Sequence, residues 1–213
     1  MRGALDVHRE LLTRGVPHEM VRLRRPVLSA DDLPASLDLP STSCVAVRCY
    51  IAERRADHRG DRGADRFTTG EAPVGERLVA AMVHAGVVPD PAALLDAVGA
   101  RALRAATASE VNAVTDSAAG LVSPVGLPAS VTLLADAALG EAEVLYCATG
   151  EGGVALGVRT RDLLVAVTPR VASLSGTPIS EAERAGWDGV VALADVIDLD
   201  RRAVSRRPRR GAR

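Results

Sequence analysis

The sequence predicts an α/β (α+β) protein in which a mixed, curved and partly barrel-like β-sheet is flanked by helices. Apolar periodicity orders the elements as α-β-α-β-β-α-α-loop-β-β-β-α. Because strands and helices do not alternate regularly in this order, a doubly wound parallel sheet is disfavoured. Hydrophobic residues make up 47% of the 213-residue chain but aromatic residues only 2%, so Ala, Val and Leu must build the core.

The start of the chain carries three predicted elements. Residues 3–15 place apolar side chains at helical spacing and end in a glycine, which predicts an amphipathic helix. Residues 18–23 alternate between polar and apolar side chains, which predicts a strand. Ser29 is followed three residues later by Asp32, a pair that predicts a capped second helix ending near Leu37.

Residues 44–51 predict a β-strand with two distinct faces, because successive side chains point to opposite sides of a strand. The two faces are Cys44, Ala46, Arg48 and Tyr50, and Val45, Val47, Cys49 and Ile51. Residues 53–75 then change character: they are charged and glycine-rich with almost nothing to bury. This composition predicts a flexible hairpin insertion, after which residues 77–85 form the returning strand.

The stretch 107–126 joins a helix signal directly to a glycine-rich loop. Pro91 starts the preceding helix, which is expected to end near Gly99. Thr107 and Glu110 then have the spacing of a capping box, which predicts a short helix over residues 108–115.

The sequence Gly120-Leu-Val-Ser-Pro-Val-Gly126 follows that helix. Glycine reaches backbone angles that are closed to other residues, and such a loop can present successive N–H groups to a ligand carbonyl or phosphate. The alternative for this loop is an ordinary surface turn.

The remaining elements complete one domain, expected to span residues 1–175. Strands are predicted at 131–135, 143–148 and 154–158, with a tight turn at 150–153 and a last helix over 160–164. Residues 176–213 are a predicted C-terminal extension that contains Trp187 and a disordered basic end. A basic end can touch RNA non-specifically, but it is more often a solvated tail.

Composition excludes several classes of chemistry. All 26 basic residues are arginine, so no reaction that requires a lysine amine is available. The net charge of −1 provides no global field that attracts nucleic acid, so any RNA contact must be local. We expect no metal and no cofactor, because the four histidines match no zinc spacing and no phosphate-binding glycine motif follows a strand. No apolar run approaches the length of a membrane span.

The three cysteines, Cys44, Cys49 and Cys147, lack CxxC spacing and are expected to be reduced thiols of a cytoplasmic protein. Cys44 and Cys147 lie in apolar strand-like runs, so packing is their expected role.

Four features in order resemble the YbaK/EbsC family, the single-domain relatives of the editing domain inserted in bacterial prolyl-tRNA synthetases. They are the first helix and strand, the strand at 44–51, the loop Gly120…Ser123-Pro124-Val125-Gly126, and Asp136 followed by a strand and the glycine turn at 150–153. The resemblance covers residues 3–175. It implies a mixed, barrel-like sheet with flanking helices and hydrolysis of misacylated tRNA in trans.

One departure from the family pattern bears on activity. The family deacylases carry a lysine at the start of the central strand, and by strand register this position is Ala46. Arg48 lies two residues on and points to the same face, so it could supply the positive charge. Arginine is wider and planar, so the exchange is not conservative. The alternative for Arg48 is a salt bridge at the rim.

The resemblance implies a site without a side-chain base. An ester needs only a positioned water and a stabilised oxyanion, and backbone donors of the loop suit that task. Catalytic candidates are Arg48, Gly120, Ser123, Pro124 and Gly126; substrate-binding candidates are Ala46, Val122, Val125, Asp136, Gly150 and Gly153. Ser123 as a nucleophile lacks an evident base. The alternative for Asp136 is a turn residue at a strand end, and His18 is expected to be packed or exposed rather than catalytic.

Three functions are compatible with these residues. The first is a trans-editing deacylase acting on the 3′ end of aminoacyl-tRNA, with a synthetase as a further partner and neither DNA nor membrane. The second is an inactive module that binds a tRNA end, an amino acid or a synthetase. The third is an interaction protein whose insertion and tail recruit a partner.

Overall fold

The computed structural model of the chain describes residues 2–54, 75–174 and 176–178. Most of the predicted insertion at 53–75, together with Trp187 and the basic end, lies outside these residues. The helices are α1 (Ala4–Thr13), α2 (Leu33–Leu37), α3 (Pro91–Val98), α4 (Ala108–Thr115) and α5 (Thr160–Val167). The strands are β1 (His18–Arg22), β2 (Cys44–Arg54), β3 (Glu76–His84), β4 (Val87–Val88), β5 (Ala100–Ala105), β6 (Thr132–Asp136), β7 (Val144–Ala148), β8 (Val154–Arg159), β9 (Arg170–Ala172) and β10 (Thr177–Pro178).

Seven strands form one mixed sheet in the order β1-β8-β7-β2-β3-β6-β9, and an eighth, β5, also pairs with β2. The β2–β7, β3–β6 and β6–β9 pairs are parallel, and the others are antiparallel. The predicted mixed sheet with flanking helices is therefore confirmed.

Strand β2 is the centre of this sheet. It pairs with β3 along nine residues, whereas its other edge is shared by β7 at the start and β5 at the end. Both faces of β2 are covered: Val45 and Val47 pack into one apolar cluster, and Cys44 and Ala46 into another. The predicted alternation of side chains places these pairs on opposite faces.

Strand β5 is absent from the sequence prediction, which ran α3 directly into α4. Alanine and arginine, which make up most of β5, have low intrinsic strand preference. Antiparallel pairing with the end of β2, in register from Tyr50↔Ala105 to Glu53↔Ala102, stabilises the strand instead. The short strands β4, β9 and β10 were also not predicted, and α5 runs three residues past the expected end.

The first residues of the predicted C-terminal extension pair with a strand of the predicted domain. Thr177 and Pro178 pair with Val88 and Val87, so the first described residues of the extension add a short second ladder. In the part of the chain that the structure describes, every helix falls short of the length or apolarity that a bilayer crossing demands.

The cysteines are free thiols, as expected. Cys44 and Cys147 are fully buried, which confirms their predicted packing role. Burial raises the pKa of the Cys44 thiol to about 11, so this thiol is protonated at neutral pH.

Candidate functional site

Helix α4 delivers the chain into the glycine-rich loop. The Thr107 hydroxyl accepts the Glu110 N–H at 3.3 Å, and the Glu110 carboxylate accepts the Thr107 N–H at 2.8 Å. This is the predicted capping box. A two-pronged hydrogen bond from Arg104 lowers the pKa of Glu110 to about 2, so the cap is ionised at neutral pH. The helix ends at Thr115, and the φ of 53° at the following residue, Asp116, turns the chain toward the loop.

The glycine-rich loop (residues 120–126) is packed into the protein, which excludes the alternative of a surface turn. Its residues from Leu121 to Val125 are buried. The Ser123 hydroxyl accepts the Val125 N–H at 3.2 Å and so closes a turn around Pro124. This use of the hydroxyl is structural, and it gives Ser123 no activating base.

Four backbone N–H groups of the loop have no hydrogen-bond partner in the part of the protein that the structure describes. Across residues 2–54, 75–174 and 176–178, the N–H groups of Gly120, Val122, Ser123 and Gly126 make no hydrogen bond to a protein acceptor. Buried segments rarely leave backbone donors unpaired. These N–H groups are therefore the donors that the loop can offer to a ligand oxygen.

Two other segments pack against the loop. The Gly150 N–H donates to the Leu121 carbonyl at 2.8 Å, which joins the 150–153 turn to the loop. The Val27 N–H donates to the Gly152 carbonyl at 2.9 Å, and the Leu28 carbonyl lies against the Cα of Gly120. The structure thus brings the predicted residues Gly120, Ser123, Pro124, Gly126, Gly150 and Gly153 into one region.

Arg2 is a residue of this region that sequence reasoning missed. Its N–H donates to the Asp116 carbonyl at 2.7 Å, and its carbonyl lies against Gly150. Its guanidinium lies on the face of Gly126, where a Cβ would overlap Nη2. Gly126 has a φ of 73°, so glycine is required there for the backbone angle as well as for this contact. No sequence motif signals Arg2, because only the fold brings the chain start to residues 116–126.

The valines of the loop face inward. Val122 and Val125 belong to the main apolar cluster, 2% and 4% exposed, and pack there with Val45 and Val47. Ala46, where the resemblance places the family lysine, is 1% exposed and belongs to the second cluster with Leu121. These buried side chains anchor the loop to the apolar clusters. The substrate-binding role predicted for Val122, Val125 and Ala46 stays a prediction.

Arg48 forms a buried ion pair rather than a rim salt bridge. Its Nη1 and Nη2 lie 2.8 and 2.6 Å from the two carboxylate oxygens of Asp31, and its Nε donates to the Val87 carbonyl at 3.1 Å. Burial alone would raise the pKa of Asp31, but hydrogen bonds and charge from Arg48, with the Gly86 N–H, hold it below its usual value. The guanidinium is thus bonded to protein acceptors on its Nε, Nη1 and Nη2 atoms. The role of Arg48 as a replacement for the family lysine stays a prediction.

Asp136 and His18 have local partners. The Asp136 carboxylate accepts the N–H groups of Ala138 at 3.4 Å and Leu174 at 3.3 Å, as expected of a turn residue at a strand end. His18 donates or accepts at both ring nitrogens, with His8 Nδ1 at 2.8 Å and the Val16 carbonyl at 2.7 Å. Within the described residues, no hydrogen bond joins either residue to the loop.

A depression of about 410 Å³ lies elsewhere, between the β6–β7 connection and the start of α5, lined by Gly140, Ala142, Glu143, Arg159, Thr160, Arg161 and Leu164. None of these residues belongs to the loop region. Within the described residues, no group of three His, Cys, Asp or Glu side chains is arranged to hold a metal ion.

Solved structures share this fold. A protein described as hypothetical aligns with 19% identity and a TM-score of 0.64, over 80% of this chain and 99% of its own. A candidate trans-editing enzyme for prolyl tRNA synthetase aligns with 22% identity and a TM-score of 0.61, over 79% and 93%. No curated protein matches the chain. Residues 73–165, which include the glycine-rich loop and its turn, match the family model of the aminoacyl-tRNA editing domain, and the resemblance indicated by the loop motif is thereby confirmed.

Proposed function

We propose that this protein hydrolyses the ester bond of misacylated tRNA in trans. The observation that carries the proposal is the glycine-rich loop, with its unpaired N–H donors beside the 150–153 turn, inside a segment that matches the aminoacyl-tRNA editing domain. Backbone donors held by a packed loop cost no reorganisation when negative charge develops on an ester oxygen.

The chemistry divides between protein and substrate. In the proposed reaction, water attacks the carbonyl carbon of the aminoacyl ester, and the N–H groups of Val122 and Ser123 stabilise the oxyanion. The bond to the ribose oxygen then breaks, and a free amino acid and the tRNA 3′ hydroxyl are released. The family resemblance implies that a ribose hydroxyl of the tRNA activates the water, so the protein itself supplies no general base. We expect the reaction in the cytoplasm, where charged tRNA and synthetases are present.

The test is deacylation of tRNAs mischarged with alanine, serine or cysteine, followed as loss of labelled amino acid from precipitable RNA. We expect hydrolysis of at least one species at a rate proportional to protein concentration. The matched variant is Gly120→Val, whose side chain would meet the Leu28 carbonyl and shift the loop. Gly140→Val is the control, because no atom lies within 4 Å of its added Cβ. Equal rates for the two variants would remove the loop from the mechanism.

A second candidate function is a module that binds an aminoacyl-tRNA end, an amino acid or a synthetase without turnover. Two observations favour it: Ala46, where the resemblance places the family lysine, is buried, and the Arg48 guanidinium is paired with Asp31. Retained RNA binding with no hydrolysis of any mischarged tRNA would support this candidate over the first.

The role of Arg48 needs a variant that does not leave a buried charge unpaired. The double variant Arg48→Met/Asp31→Leu removes both charges, whereas Arg48→Ala alone would confuse loss of fold with loss of chemistry. Hydrolysis that persists in the folded double variant would show that Arg48 does not replace the lysine.

A further inference from the structure

We propose that Arg2 binds a backbone phosphate of the tRNA acceptor end at the glycine-rich loop, and so supplies the positive charge that the absent lysine would provide. The inference rests on the proposed recognition of tRNA but not on turnover. It assigns a binding role to a residue outside the segment that matches the editing-domain family.

The backbone of Arg2 is held in place on both sides. Its N–H donates to the Asp116 carbonyl at the end of α4, and its carbonyl oxygen would lie 2.5 Å from a Cβ on Gly150. The following residue, Gly3, caps helix α1. The position of Arg2 is therefore set by α4, the 150–153 turn and the start of α1 together.

The guanidinium of Arg2 has no protein counterion among residues 2–54, 75–174 and 176–178. No carboxylate oxygen of these residues lies within 4 Å of its nitrogens, and no carbonyl of these residues accepts a hydrogen bond from it. The carboxylate of Glu151 lies against the Cα of Gly3, and no ion pair joins it to the guanidinium. Arg2 thus presents a half-buried, unpaired charge at the loop.

The ligand that fits this arrangement is an anion with several oxygens. The guanidinium lies on Gly126, whose N–H is one of the unpaired loop donors. A guanidinium presents paired N–H donors that match phosphate oxygens, and loop N–H groups can complete the set. An ester carbonyl has one oxygen and carries negative charge only in the transition state. A phosphate carries negative charge on several oxygens in the ground state, so it can bind the guanidinium and the loop N–H groups together.

Arg2 suits this role better than Arg48 does. The side chain of Arg48 is 4% exposed, and its guanidinium is bonded to Asp31 and Val87. A phosphate could reach Arg48 only by displacing the Asp31 carboxylate. The half-buried Arg2 needs no such rearrangement.

The experiment measures binding of the full-length protein to an RNA minihelix that ends in the single-stranded 3′ end of tRNA and carries no amino acid. Arg2→Gln is expected to weaken binding roughly tenfold at low salt, since a charged hydrogen-bonded contact is lost. The slope of log K against log salt should fall by about 0.7, the value for one phosphate contact on a single strand. Arg2→Lys should restore part of the affinity.

Arg9→Gln is the matched control. It removes the same charge from helix α1, but Arg9 is exposed and 3.7 Å from Asp6. We expect its affinity and salt slope to stay at the wild-type values. Gly126→Ala is a second variant, because its Cβ would displace the guanidinium. It should reproduce the Arg2→Gln defect, provided that circular dichroism shows an intact fold.

Neutral methylphosphonate linkages, placed singly at the last three positions of the RNA, identify the contacted phosphate. At one position the wild type should lose affinity while Arg2→Gln loses none. If every neutral linkage lowers the RNA affinity of wild type and Arg2→Gln equally, the assignment is wrong. It is also wrong if Arg9→Gln lowers the affinity as much as Arg2→Gln does. Because the RNA carries no amino acid, the binding measurement is valid whether or not the protein hydrolyses mischarged tRNA. Conversely, hydrolysis with an unchanged Km in Arg2→Gln would leave the enzyme proposal intact and overturn this one.

Discussion

The Arg48 guanidinium and the Asp31 carboxylate form an ion pair whose side chains are 4% and 6% exposed. Asp31 also accepts the Gly86 N–H at 2.6 Å, so the pair joins strand β2, the short helical turn before α2 and the connection between β3 and β4. The same N-terminal segment places the Leu28 carbonyl against Gly120. The ion pair therefore positions one wall of the candidate site without lying in it.

Breaking this pair should destabilise the protein strongly. Arg48→Ala leaves an unpaired buried carboxylate, and we expect the free energy of unfolding to fall by about 3–5 kcal/mol. Urea denaturation followed by circular dichroism gives the value. Arg9→Ala, which breaks an exposed pair with Asp6, should change it by less than about 1 kcal/mol. Similar losses in the two variants would contradict a stabilising role for the buried pair.

The pair should also make stability depend on acid pH. The pKa of Asp31 is lower in the folded protein than its ordinary value of 3.8. Its contribution is therefore fully present above that value and is lost as pH falls through the lowered folded pKa. Asp31→Asn lacks the titrating group, so the stability difference between wild type and variant should shrink below about pH 4. A constant difference from pH 6 to pH 3 would be inconsistent with the lowered pKa.

Loss of the helix cap should loosen the entry to the loop. Thr107→Ala removes the hydroxyl that accepts the Glu110 N–H, and we expect a loss of about 1 kcal/mol. Amide exchange of residues 108–116 should rise more than exchange elsewhere. The control is Thr13→Ala, because the Thr13 hydroxyl only bonds a carbonyl within α1 and caps no helix. Uniform acceleration across the protein would argue against a local effect.

Gly150 and Gly153 should tolerate a methyl group very differently. Gly150 has a φ of 93°, and a Cβ there would lie 2.5 Å from the Arg2 carbonyl oxygen, so Gly150→Ala should cost roughly 1–3 kcal/mol. An added Cβ on Gly153 meets no atom within 4 Å, so Gly153→Ala should be close to neutral. Thermal unfolding of both variants checks this order. The reverse order would mean that the 150–153 turn is arranged differently.

Ser123 should be dispensable for hydrolysis. Its hydroxyl accepts the Val125 N–H, so Ser123→Ala is expected to cost about 1 kcal/mol of stability and leave the deacylation rate near the wild-type value. A rate lower by several orders of magnitude would instead assign Ser123 as a nucleophile. Mass spectrometry during turnover provides the second measurement, in which no acyl adduct on Ser123 is expected. Ser117→Ala, a buried serine outside the loop, controls for the lost hydroxyl.

Local sequence signals determined much of the fold. The capping box at Thr107 and Glu110 predicted helix α4 with both ends correct, and alternation predicted strands β1 and β2 to within a few residues. These signals act over three or four residues, through caps and side-chain periodicity, so they are readable without tertiary information. The motif of residues 120–126, together with three other features, likewise predicted the match of residues 73–165 to the aminoacyl-tRNA editing domain.

The tertiary structure alone decided the identity of β5 and the surroundings of the loop. The alanines and arginines of β5 become a strand because β2 offers an unpaired edge at residues 50–54. Arg48 has the facing that alternation predicts, but its partner is Asp31, seventeen residues earlier. Arg2 reaches Gly126 only because α4 and the 150–153 turn dock against the chain start. Sequence periodicity determines which face of a strand a side chain lies on. Long-range packing determines whether a charged side chain has a counterion, and a cation without one can bind an anion.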